Sequence, residues 1–228
     1  MQSANKPSLI LFDVNETLLD MSPVKKKVNS LLGSKLGFRI WFGMLLQYSL
    51  VDNLTSQYHD FSTIGYAALD MAAAALEEKP DDEDKLQALS AMEKLPAYKD
   101  VEKGLKKLQT AGFRLAVLTN SSASTLQAQL KYSGLGSYFE AALSVDTIKK
   151  YKPAQETYHW AAQMLHVVPD EVIMIAAHGW DIAGALKADM QAGFIQRKGQ
   201  SLYSLAPNPW FAGSDLVEVA ESIIKHQG

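Results

Sequence analysis

The regular pattern of the chain begins with a continuous apolar run, Leu9-Ile10-Leu11-Phe12, which ends at Asp13. A short run without polar alternation is typical of a strand that is covered on both faces, as in a parallel sheet. In an open α/β sheet, ligands bind in the crevice at the carboxyl ends of the strands. Asp13 is therefore the first candidate for a functional side chain.

Between residues 21 and 95 the apolar positions repeat with helical spacing, and no convincing strand interrupts them. The spacing predicts four helices, over residues 24–32, 38–48, 53–78 and 83–92. The polar turn Lys79-Pro80-Asp81-Asp82 separates the last two, and its acids suit the N-terminus of the helix that follows. We expect this segment to form an α-helical cap domain inserted after the first strand.

From Asp100 onward, helical periodicity alternates with short apolar runs, which is the pattern of a doubly wound α/β fold with a parallel sheet. Asp100 is expected to cap the first of these helices, which ends at Thr110. Strands are predicted over residues 114–118, 141–144, 172–176 and 193–196, and further helices over residues 124–133, 154–165 and 180–188. The predicted organisation is a Rossmann-like core formed by residues 1–20 and 96–228, with the cap domain over residues 21–95.

The composition narrows the classes of function. With 228 residues, of which 47% are apolar, the chain can bury a substantial core. A net charge of −3 without a stripe of Lys and Arg argues against a nucleic-acid or membrane-surface partner, and the uncharged, largely apolar run over residues 40–51 is too short to span a membrane. The absence of cysteine excludes disulfides and thiolate catalysis, and the polar start lacks the apolar stretch of a secretory signal. We expect a cytoplasmic protein that binds small molecules.

Polar residues stand at the ends of the predicted strands, where a parallel sheet gathers them at one edge. Beside Asp13 they are Thr119-Asn120-Ser121-Ser122, Lys152, and His178-Gly179-Trp180-Asp181. Four such loops at one crevice predict an active site in which a carboxylate held by a strand is the nucleophile.

In these features the chain resembles the haloacid dehalogenase superfamily, and within it the type II (S)-2-haloacid dehalogenases. The resemblance spans residues 9–196. It is carried by four blocks: Phe12-Asp13-x-x-x-Thr17-Leu18, Leu118-Thr119-Asn120-x-Ser122, the stretch from Ser144-Val145-Asp146 to Tyr151-Lys152-Pro153 with Tyr158 beyond it, and Trp180-Asp181-x-x-Gly184-Ala185.

The resemblance implies hydrolysis of (S)-2-haloacids without a metal or another cofactor. In the family, the Asp carboxylate attacks C2 and expels halide, and hydrolysis of the resulting ester yields the (R)-2-hydroxy acid; Asp13 takes that part here. Lys152 is then expected to keep Asp13 ionised, because a nearby ammonium favours the charged form of a carboxylate. Thr17 and Thr119 are expected to orient Asp13. Asn120, with the start of the next helix, is expected to bind halide or the substrate carboxylate.

Asn15 distinguishes two chemistries within the superfamily. Phosphate-transferring members usually carry a second Asp two residues after the nucleophile, to protonate the leaving group, and this chain has Asn15 there. Halide leaves without a proton, so the amide suits dehalogenation and disfavours phosphate ester hydrolysis. A Mg²⁺-dependent phosphatase or phosphonate hydrolase is the alternative, and a catalytically silent binding module is a third possibility.

Hydrolysis of the ester requires an activated water, and here the chain departs from the better-known members. Where they have Ser-x-Asn-x-Trp-Asp, this chain has His178 at the Asn position, and Glu16 replaces a Gly before Thr17. We interpret His178 and Glu16 as a general-base dyad, which resembles a smaller dehalogenase subgroup. Because the base must be neutral and Glu16 favours imidazolium, activity is expected to fall on acidification, with an alkaline optimum.

Substrate binding is the second departure. The usual cap arginine of the family falls at Phe42 if Tyr48 is taken as the anchor of the alignment. One hypothesis is that Arg39, three residues earlier on the same helix, substitutes for it. The other is that Phe42 lines an apolar pocket, whose remaining members are Leu45, Phe61 and Trp180.

Expectations also concern two supporting residues, Asp181 and Tyr158, and the oligomeric state. Asp181 is interpreted either as an acid at a helix N-terminus or as a partner that fixes Lys152, and in metal-using relatives this region supplies a Mg²⁺ ligand. Tyr158 is expected to support the same cluster. Related dehalogenases are commonly homodimers, so the resemblance implies a homodimer.

Overall fold

A parallel sheet of six strands carries the site in the computed structural model, which describes residues 7–227. The strand order is β3-β2-β1-β4-β5-β6, and neighbouring strands pair in parallel throughout. The strands are β1 (Leu9–Phe12), β2 (Arg114–Thr119), β3 (Ala141–Ser144), β4 (Val172–Ala176), β5 (Gln191–Ile195) and β6 (Phe211–Gly213).

Strand β1 is central, because its four apolar residues are fully buried and pair on both sides. Leu11 lies opposite Ala116 of β2 and Met174 of β4. The strand order turns back between β1 and β4, which is the switch point where doubly wound folds bind ligands. The loops after β1, β2 and β4 therefore meet at one edge of the sheet.

Nine α-helices are described in residues 7–227, and four of them lie between β1 and the next core element. Those four are α1 (Ser22–Leu31), α2 (Gly37–Thr55), α3 (Phe61–Ala75) and α4 (Asp82–Leu89). The others are α5 (Val101–Thr110), α6 (Ala123–Ser133), α7 (Gln155–Met164), α8 (Gly179–Lys187) and α9 (Leu216–Gln227). The predicted class, an α/β parallel-sheet core with an inserted helical cap, is confirmed. No helix within residues 7–227 is long and apolar enough to cross a membrane.

The chain leaves and rejoins the core along two adjacent segments. The Asp20 N–H donates to the Pro96 carbonyl at 2.8 Å, and the Tyr98 N–H donates to the Leu18 carbonyl at 3.0 Å. This pairing brings residues 20 and 96 together, and the division of the chain at these two residues stays a prediction.

Helix α2 is tied to the core segment that precedes Lys152. The Asn53 side chain donates to the Tyr151 carbonyl at 2.8 Å and accepts from the Tyr151 N–H at 2.9 Å. Beyond the end of α2, the Tyr58 hydroxyl donates to Asp146. The cap helices are thereby fixed relative to the loop that carries Lys152.

The predicted boundary between the second and third cap helices was wrong. Helix α2 continues to Thr55, Ser56 ends it in a left-handed conformation with φ +57°, and α3 begins at Phe61. The reason is the cap residue Asp60, whose carboxylate accepts from the N–H groups of Ser62 and Thr63.

Asp100 is the residue before α5, where the cap was predicted, but its carboxylate makes no hydrogen bond to the start of that helix. Its carboxylate binds Arg197 and accepts from the Leu216 N–H at 2.8 Å, so it serves the start of α9 instead of α5. Strand β6 and helix α9 were not predicted. Strand β5 starts at Gln191, two residues before the predicted start.

Candidate active site

Asp13 lies at the carboxyl end of β1, 4% exposed, and its two oxygens contact three different side chains. Its Oδ1 is 3.0 Å from Lys152 Nζ, and its Oδ2 is 2.7 Å from Thr17 Oγ1 and 3.1 Å from His178 Nδ1. Burial alone raises the pKa of Asp13, but the Lys152 ammonium and the contacts with His178 and Thr17 hold that pKa well below its usual range. Asp13 is thus a buried carboxylate that stays ionised, which a nucleophile requires.

Lys152 is fully buried and bridges two carboxylates. Besides Asp13, its Nζ lies 2.5 Å from Asp181 Oδ2, and the Tyr158 hydroxyl donates to Asp181 Oδ1 at 2.5 Å. Burial lowers the pKa of Lys152, but Asp13 and Asp181 outweigh it and raise that pKa. Of the two interpretations of Asp181, the geometry favours the partner that fixes Lys152.

His178 stands between Asp13 and Glu16, as the sequence predicted. Its Nε2 lies 3.1 Å from Glu16 Oε2, while Nδ1 faces Asp13. Burial lowers the pKa of His178, but the hydrogen bonds with Asp13 and Glu16 outweigh it and raise the pKa to about 9. Glu16 has φ +57°, a left-handed conformation that costs a non-glycine residue about 1–2 kcal/mol. The loop after β1 is therefore held in a strained conformation that turns Glu16 toward His178.

Thr17 joins the two loops of the site. Its Oγ1 donates to Asp13 and accepts from the Ala177 N–H at 2.9 Å, directly before His178. Since its hydroxyl proton must point at Asp13, the Thr17 side chain orients the carboxylate as expected.

Thr119 and Asn120 are placed differently from the prediction. Thr119 Oγ1 accepts from the Ser121 N–H at 3.1 Å and makes no hydrogen bond to Asp13 within the described residues. The Asn120 amide accepts from the Lys152 N–H at 2.9 Å and donates to the Lys152 carbonyl at 3.2 Å. Asn120 thus positions Lys152, and one of its two amide N–H donors is not used in that contact.

The start of α6 was expected to offer backbone N–H groups to an anion, and two of these groups are engaged by the protein itself. The Ala123 N–H donates to Asp146 Oδ2 at 2.8 Å, and the Thr125 N–H donates to the cap residue Ser122 at 3.2 Å. These groups already have partners inside the protein.

Asn15 belongs to a buried network beside the site. Its Nδ2 donates to Ser121 Oγ at 2.9 Å, and its Oδ1 accepts from Gln129 Nε2 at 3.0 Å. The side chain at the position of the missing general acid thus links the loop after β1 to helix α6.

On helix α2, the structure brings Phe42 to the site and leaves Arg39 outside it. The buried residues Phe38, Trp41, Phe42 and Leu45 follow the i, i+3, i+4, i+7 spacing of one helix face, and the exposed Arg39 is not part of it. The Phe42 ring centroid is 6.3 Å from that of His178. Of the two hypotheses for this helix, the structure favours the one in which Phe42 lines the site, because Arg39 is exposed.

Trp180 lies on the other side of His178. The two rings stack at 5.2 Å, and Lys152 Nζ is 5.7 Å from the indole ring. Within the described residues, the buried indole N–H of Trp180 has no hydrogen-bond partner.

A chamber of about 810 Å³ lies between the cap and the core. Leu45 and Phe61, both expected at the substrate, line it, and no Lys or Arg is among its lining residues. Asp13, Lys152 and His178 are not among its lining residues, but Ser121, which follows Asn120, brings its wall to the loop after β2. The Phe61 ring lies 5.9 Å from that of Tyr151, which precedes Lys152. Further lining residues are Trp41, Gly65, Leu89, Met92, Ser121 and Thr125.

Across residues 7–227, no group of three or more His, Asp or Glu side chains is arranged to hold a metal ion. The Asp13 carboxylate faces the Lys152 ammonium and the imidazole of His178.

Sequence reasoning missed two residues that contact the site. Gln200 Nε2 donates to Glu16 Oε2 at 2.9 Å, and Arg197 donates to the Thr17 carbonyl through Nε at 3.1 Å and a terminal nitrogen at 2.9 Å. One feature of the sequence could have indicated them: a polar turn, Arg197-Lys198-Gly199-Gln200, stands directly after the last predicted strand, where side chains reach the crevice.

Comparison with known proteins agrees with this geometry. Residues 7–189 match a family described as haloacid dehalogenase-like hydrolase. The (S)-2-haloacid dehalogenase 4A of Burkholderia cepacia is 35% identical over 86% of this chain and 87% of its own length. A solved dehalogenase structure with an intermediate complex is 32% identical, with a TM-score of 0.86 over 93% of this chain and 95% of its own.

A further solved structure shows the same fold at lower identity. The L-2-haloacid dehalogenase of Xanthobacter autotrophicus is 24% identical, with a TM-score of 0.86 over 94% of this chain and 97% of its own. Because the family match and the 35% identity both extend over most of the chain, this protein belongs to the haloacid dehalogenase-like hydrolase family.

Proposed function

We propose that this protein hydrolyses (S)-2-haloacids to (R)-2-hydroxy acids, without a metal, through an ester on Asp13. The relatives named as (S)-2-haloacid dehalogenases support the reaction. The observation that carries the mechanism is the ionised Asp13 carboxylate, held between Lys152 and a histidine that is itself paired with Glu16.

In the first step, an Asp13 oxygen forms a bond to C2 of the substrate. The carbon–halogen bond breaks, its electron pair leaves with the halide, and C2 is inverted. Lys152 balances the carboxylate charge that the buried site would otherwise disfavour. No acid is needed for the leaving group, which agrees with an Asn15 amide that is bound to Ser121 and Gln129.

In the second step, water attacks Cγ of Asp13 and gives its proton to His178. The base atom is Nδ1, because it faces Asp13 while Nε2 faces Glu16. The ester bond at Cγ then breaks, and the substrate oxygen takes the proton back from His178 and leaves as a hydroxyl. The carboxylic acid left at Asp13 gives its remaining proton to His178, which restores the carboxylate and the imidazolium. Since C2 is not touched in this step, the inversion of the first step is kept.

The charge of Asp13 controls when His178 becomes a base. With a pKa of about 9, His178 is an imidazolium at neutral pH as long as Asp13 is a carboxylate. Esterification removes the negative charge of Asp13, and with it the first of the interactions that raise the pKa of His178. The neutral base is therefore favoured after the ester has formed.

Without the cap arginine, other donors must bind the halide and the substrate carboxylate. Lys152 has a third N–H beyond those that face Asp13 and Asp181, and Asn120 has a second amide N–H. The unpartnered indole N–H of Trp180 is the third donor. Trp180→Phe keeps an aromatic ring, though a smaller one, and removes the N–H; we expect KM or the inhibition constant for bromide to rise about tenfold, the effect of one lost hydrogen bond to a charged group. An unchanged KM and unchanged bromide inhibition would remove Trp180 from this role.

The chamber next to the cluster is proposed to receive the apolar chain of the substrate. Its lining residues include Asp70 and Glu93 and no cation, so it suits an alkyl or aryl group and repels the carboxylate. Pockets for small ligands have volumes of about 300–1,000 Å³, and this one is at the upper end.

The superfamily alternative, a Mg²⁺-dependent phosphatase or phosphonate hydrolase, is not favoured. The similar proteins are dehalogenases, and the position of the phosphatase acid is Asn15. The cytoplasmic location and the homodimer stay predictions.

The experiment is halide release from each enantiomer of 2-bromopropionate in the presence of EDTA, with 4-nitrophenyl phosphate and Mg²⁺ as the parallel assay. We expect bromide from the S enantiomer alone, and none from Asp13→Asn, which keeps the shape of the side chain without its charge. Phosphate release that depends on Mg²⁺, without bromide release, would contradict the proposal in favour of the alternative. Release of neither product would indicate a silent binding module.

A further inference from the structure

The turn after β5 brings two side chains to the catalytic loop. The Gln200 N–H donates to the Arg197 carbonyl at 3.0 Å, and Gly199 between them has φ +88°. Such a turn needs a positive φ at its third residue, which glycine supplies without strain. The sequence Arg-Lys-Gly-Gln thus fixes where Arg197 and Gln200 point.

The same segment touches both halves of the site. The buried Arg197 holds the Thr17 carbonyl, and beyond the turn the backbone of Ser201 packs against the start of α8, next to His178. A Cβ on Gly179 would lie 2.5 Å from the Ser201 carbonyl oxygen, so the contact is close. Gln200 is therefore carried by a segment that is anchored on each side of the dyad.

Glu16 depends on Gln200 for its position. Its Oε2 accepts from Gln200 Nε2 at 2.9 Å and contacts His178 Nε2 at 3.1 Å, and within residues 7–227 its carboxylate has no other hydrogen-bond partner. The Glu16 side chain is 19% exposed, so it could turn toward solvent if one of the two contacts were lost. The amide of Gln200 is neutral, so this contact does not depend on the protonation of His178.

Apart from His178, the side chain that holds Glu16 is neutral: it is the amide of Gln200. The charged groups nearby contact other residues. Nδ1 of His178 faces Asp13, behind which lie Lys152 and Asp181. Arg197 and Asp20 lie on the far side of Glu16. The Arg197 guanidinium is paired with Asp100 and stacks on Tyr98. The carboxylates of Asp20 and Glu16 both act to raise the pKa of Tyr98. Among these groups, only Glu16 contacts Nε2 of His178.

We propose that Gln200 is a positioning residue for ester hydrolysis, which holds the Glu16 carboxylate against Nε2 of His178 so that Nδ1 is the atom that accepts the proton from water. The inference rests on the proposed function, because the ester is the species that His178 and Glu16 act on. It predicts that Gln200 affects the second step and not the attack of Asp13.

The test compares Gln200→Met, which keeps the length and removes the donor, with Gln200→Glu, which replaces the donor by a carboxylate. Lys198→Met, at an exposed position of the same turn, is the control. Rapid-quench measurement of bromide gives the rate of ester formation, and mass spectrometry of the Asp13 peptide gives the rate of ester decay. The pKa of His178 is measured by NMR of its ring in the resting protein, assigned with His178→Asn.

In Gln200→Met we expect bromide formation within about twofold of wild type and ester decay about tenfold slower, the usual size of such outer contacts. The pKa of His178 should fall in this variant because Glu16 is released, and it should rise by about one unit in Gln200→Glu because a carboxylate is added. Lys198→Met should match wild type in all three measurements.

The proposal is overturned if Gln200→Met keeps the wild-type decay rate and the wild-type pKa of His178. It is also overturned if the rates of bromide formation and of ester decay fall equally, since Gln200 would then affect the attack of Asp13 as much as the hydrolysis of the ester. If wild type releases no bromide at all, the proposed function fails, and the NMR titration alone then decides whether Gln200 holds Glu16.

Discussion

At the scale of single residues, the sequence predicted the partners of Asp13 better than the binding of anions. The contacts of Asp13 with Lys152 and Thr17, and of His178 with Glu16, lie where the motifs placed them, because strand ends fix the direction of these side chains. Thr119 and Arg39 do not lie where the prediction put them. Their direction depends on which backbone groups and helix faces they meet after packing, and a motif does not contain that information.

The two steps of the reaction are expected to depend on pH in different ways. Ester formation needs ionised Asp13, whose pKa lies well below its usual range. The rate of bromide formation should therefore change by less than about twofold between pH 5 and 8. Ester decay needs neutral His178 and should fall as pH drops through the pKa that His178 has in the ester. Rapid-quench measurements across this pH range separate the two rates.

Glu16→Gln provides the matched variant for the pH dependence. Loss of the carboxylate removes one of the interactions that raise the pKa of His178, so the acid limb of ester decay should move to lower pH. His178→Asn should form the ester and hydrolyse it about 100-fold more slowly, the usual contribution of a general base. Parallel loss of both steps on acidification would contradict the roles assigned to Asp13 and His178.

At the scale of elements, the number of cap helices was predicted and their ends were not. Apolar spacing continues through residues 49–55 and on into α3, so the break between α2 and α3 depends on the cap formed by Asp60. The spacing of apolar residues alone did not show that Asp60 ends the loop before α3 by capping that helix. The difference matters for function, because the break places Phe61 at the wall of the chamber.

Helix α3 offers a test of the chamber at Gly65. A Cβ there would lie 3.8 Å from atoms of Leu45 and Trp41, an ordinary contact, so a larger side chain can extend into the chamber without moving the backbone. In Gly65→Leu we expect kcat/KM for 2-bromohexanoate to fall about tenfold relative to 2-bromopropionate, since each methylene in an apolar pocket contributes about 1–3 kcal/mol.

Gly43→Leu on α2 is the matched control for Gly65→Leu. It makes the same exchange within a helix, and a Cβ at Gly43 has nothing within 4 Å. It should leave the preference for chain length unchanged. If Gly65→Leu lowers kcat/KM equally for both substrates, the chamber does not receive the chain.

At the scale of the whole molecule, the alternation of strands and helices was sufficient to predict the core and its inserted cap. The carboxyl ends of β1, β2 and β4 meet because β1 is central, which follows from its fully apolar sequence. The last strand of the sheet was harder to predict from the sequence, because β6 has only three residues and pairs at the edge of the sheet. The turn after β5 carries Arg197 and Gln200, and its sequence shows a polar loop but not that these two side chains reach Thr17 and Glu16.

The measurement that tests the account most directly is a single turnover in H₂¹⁸O, with the protein in excess over (S)-2-bromopropionate. If Asp13 forms the ester and water attacks its Cγ, the label must enter the carboxylate of Asp13, and the first product molecule must carry unlabelled oxygen at C2. Mass spectrometry of the peptide that contains Asp13 reads the label. Labelled lactate together with an unlabelled Asp13 peptide would mean that water attacks the substrate directly, and would contradict the central role of Asp13 as nucleophile.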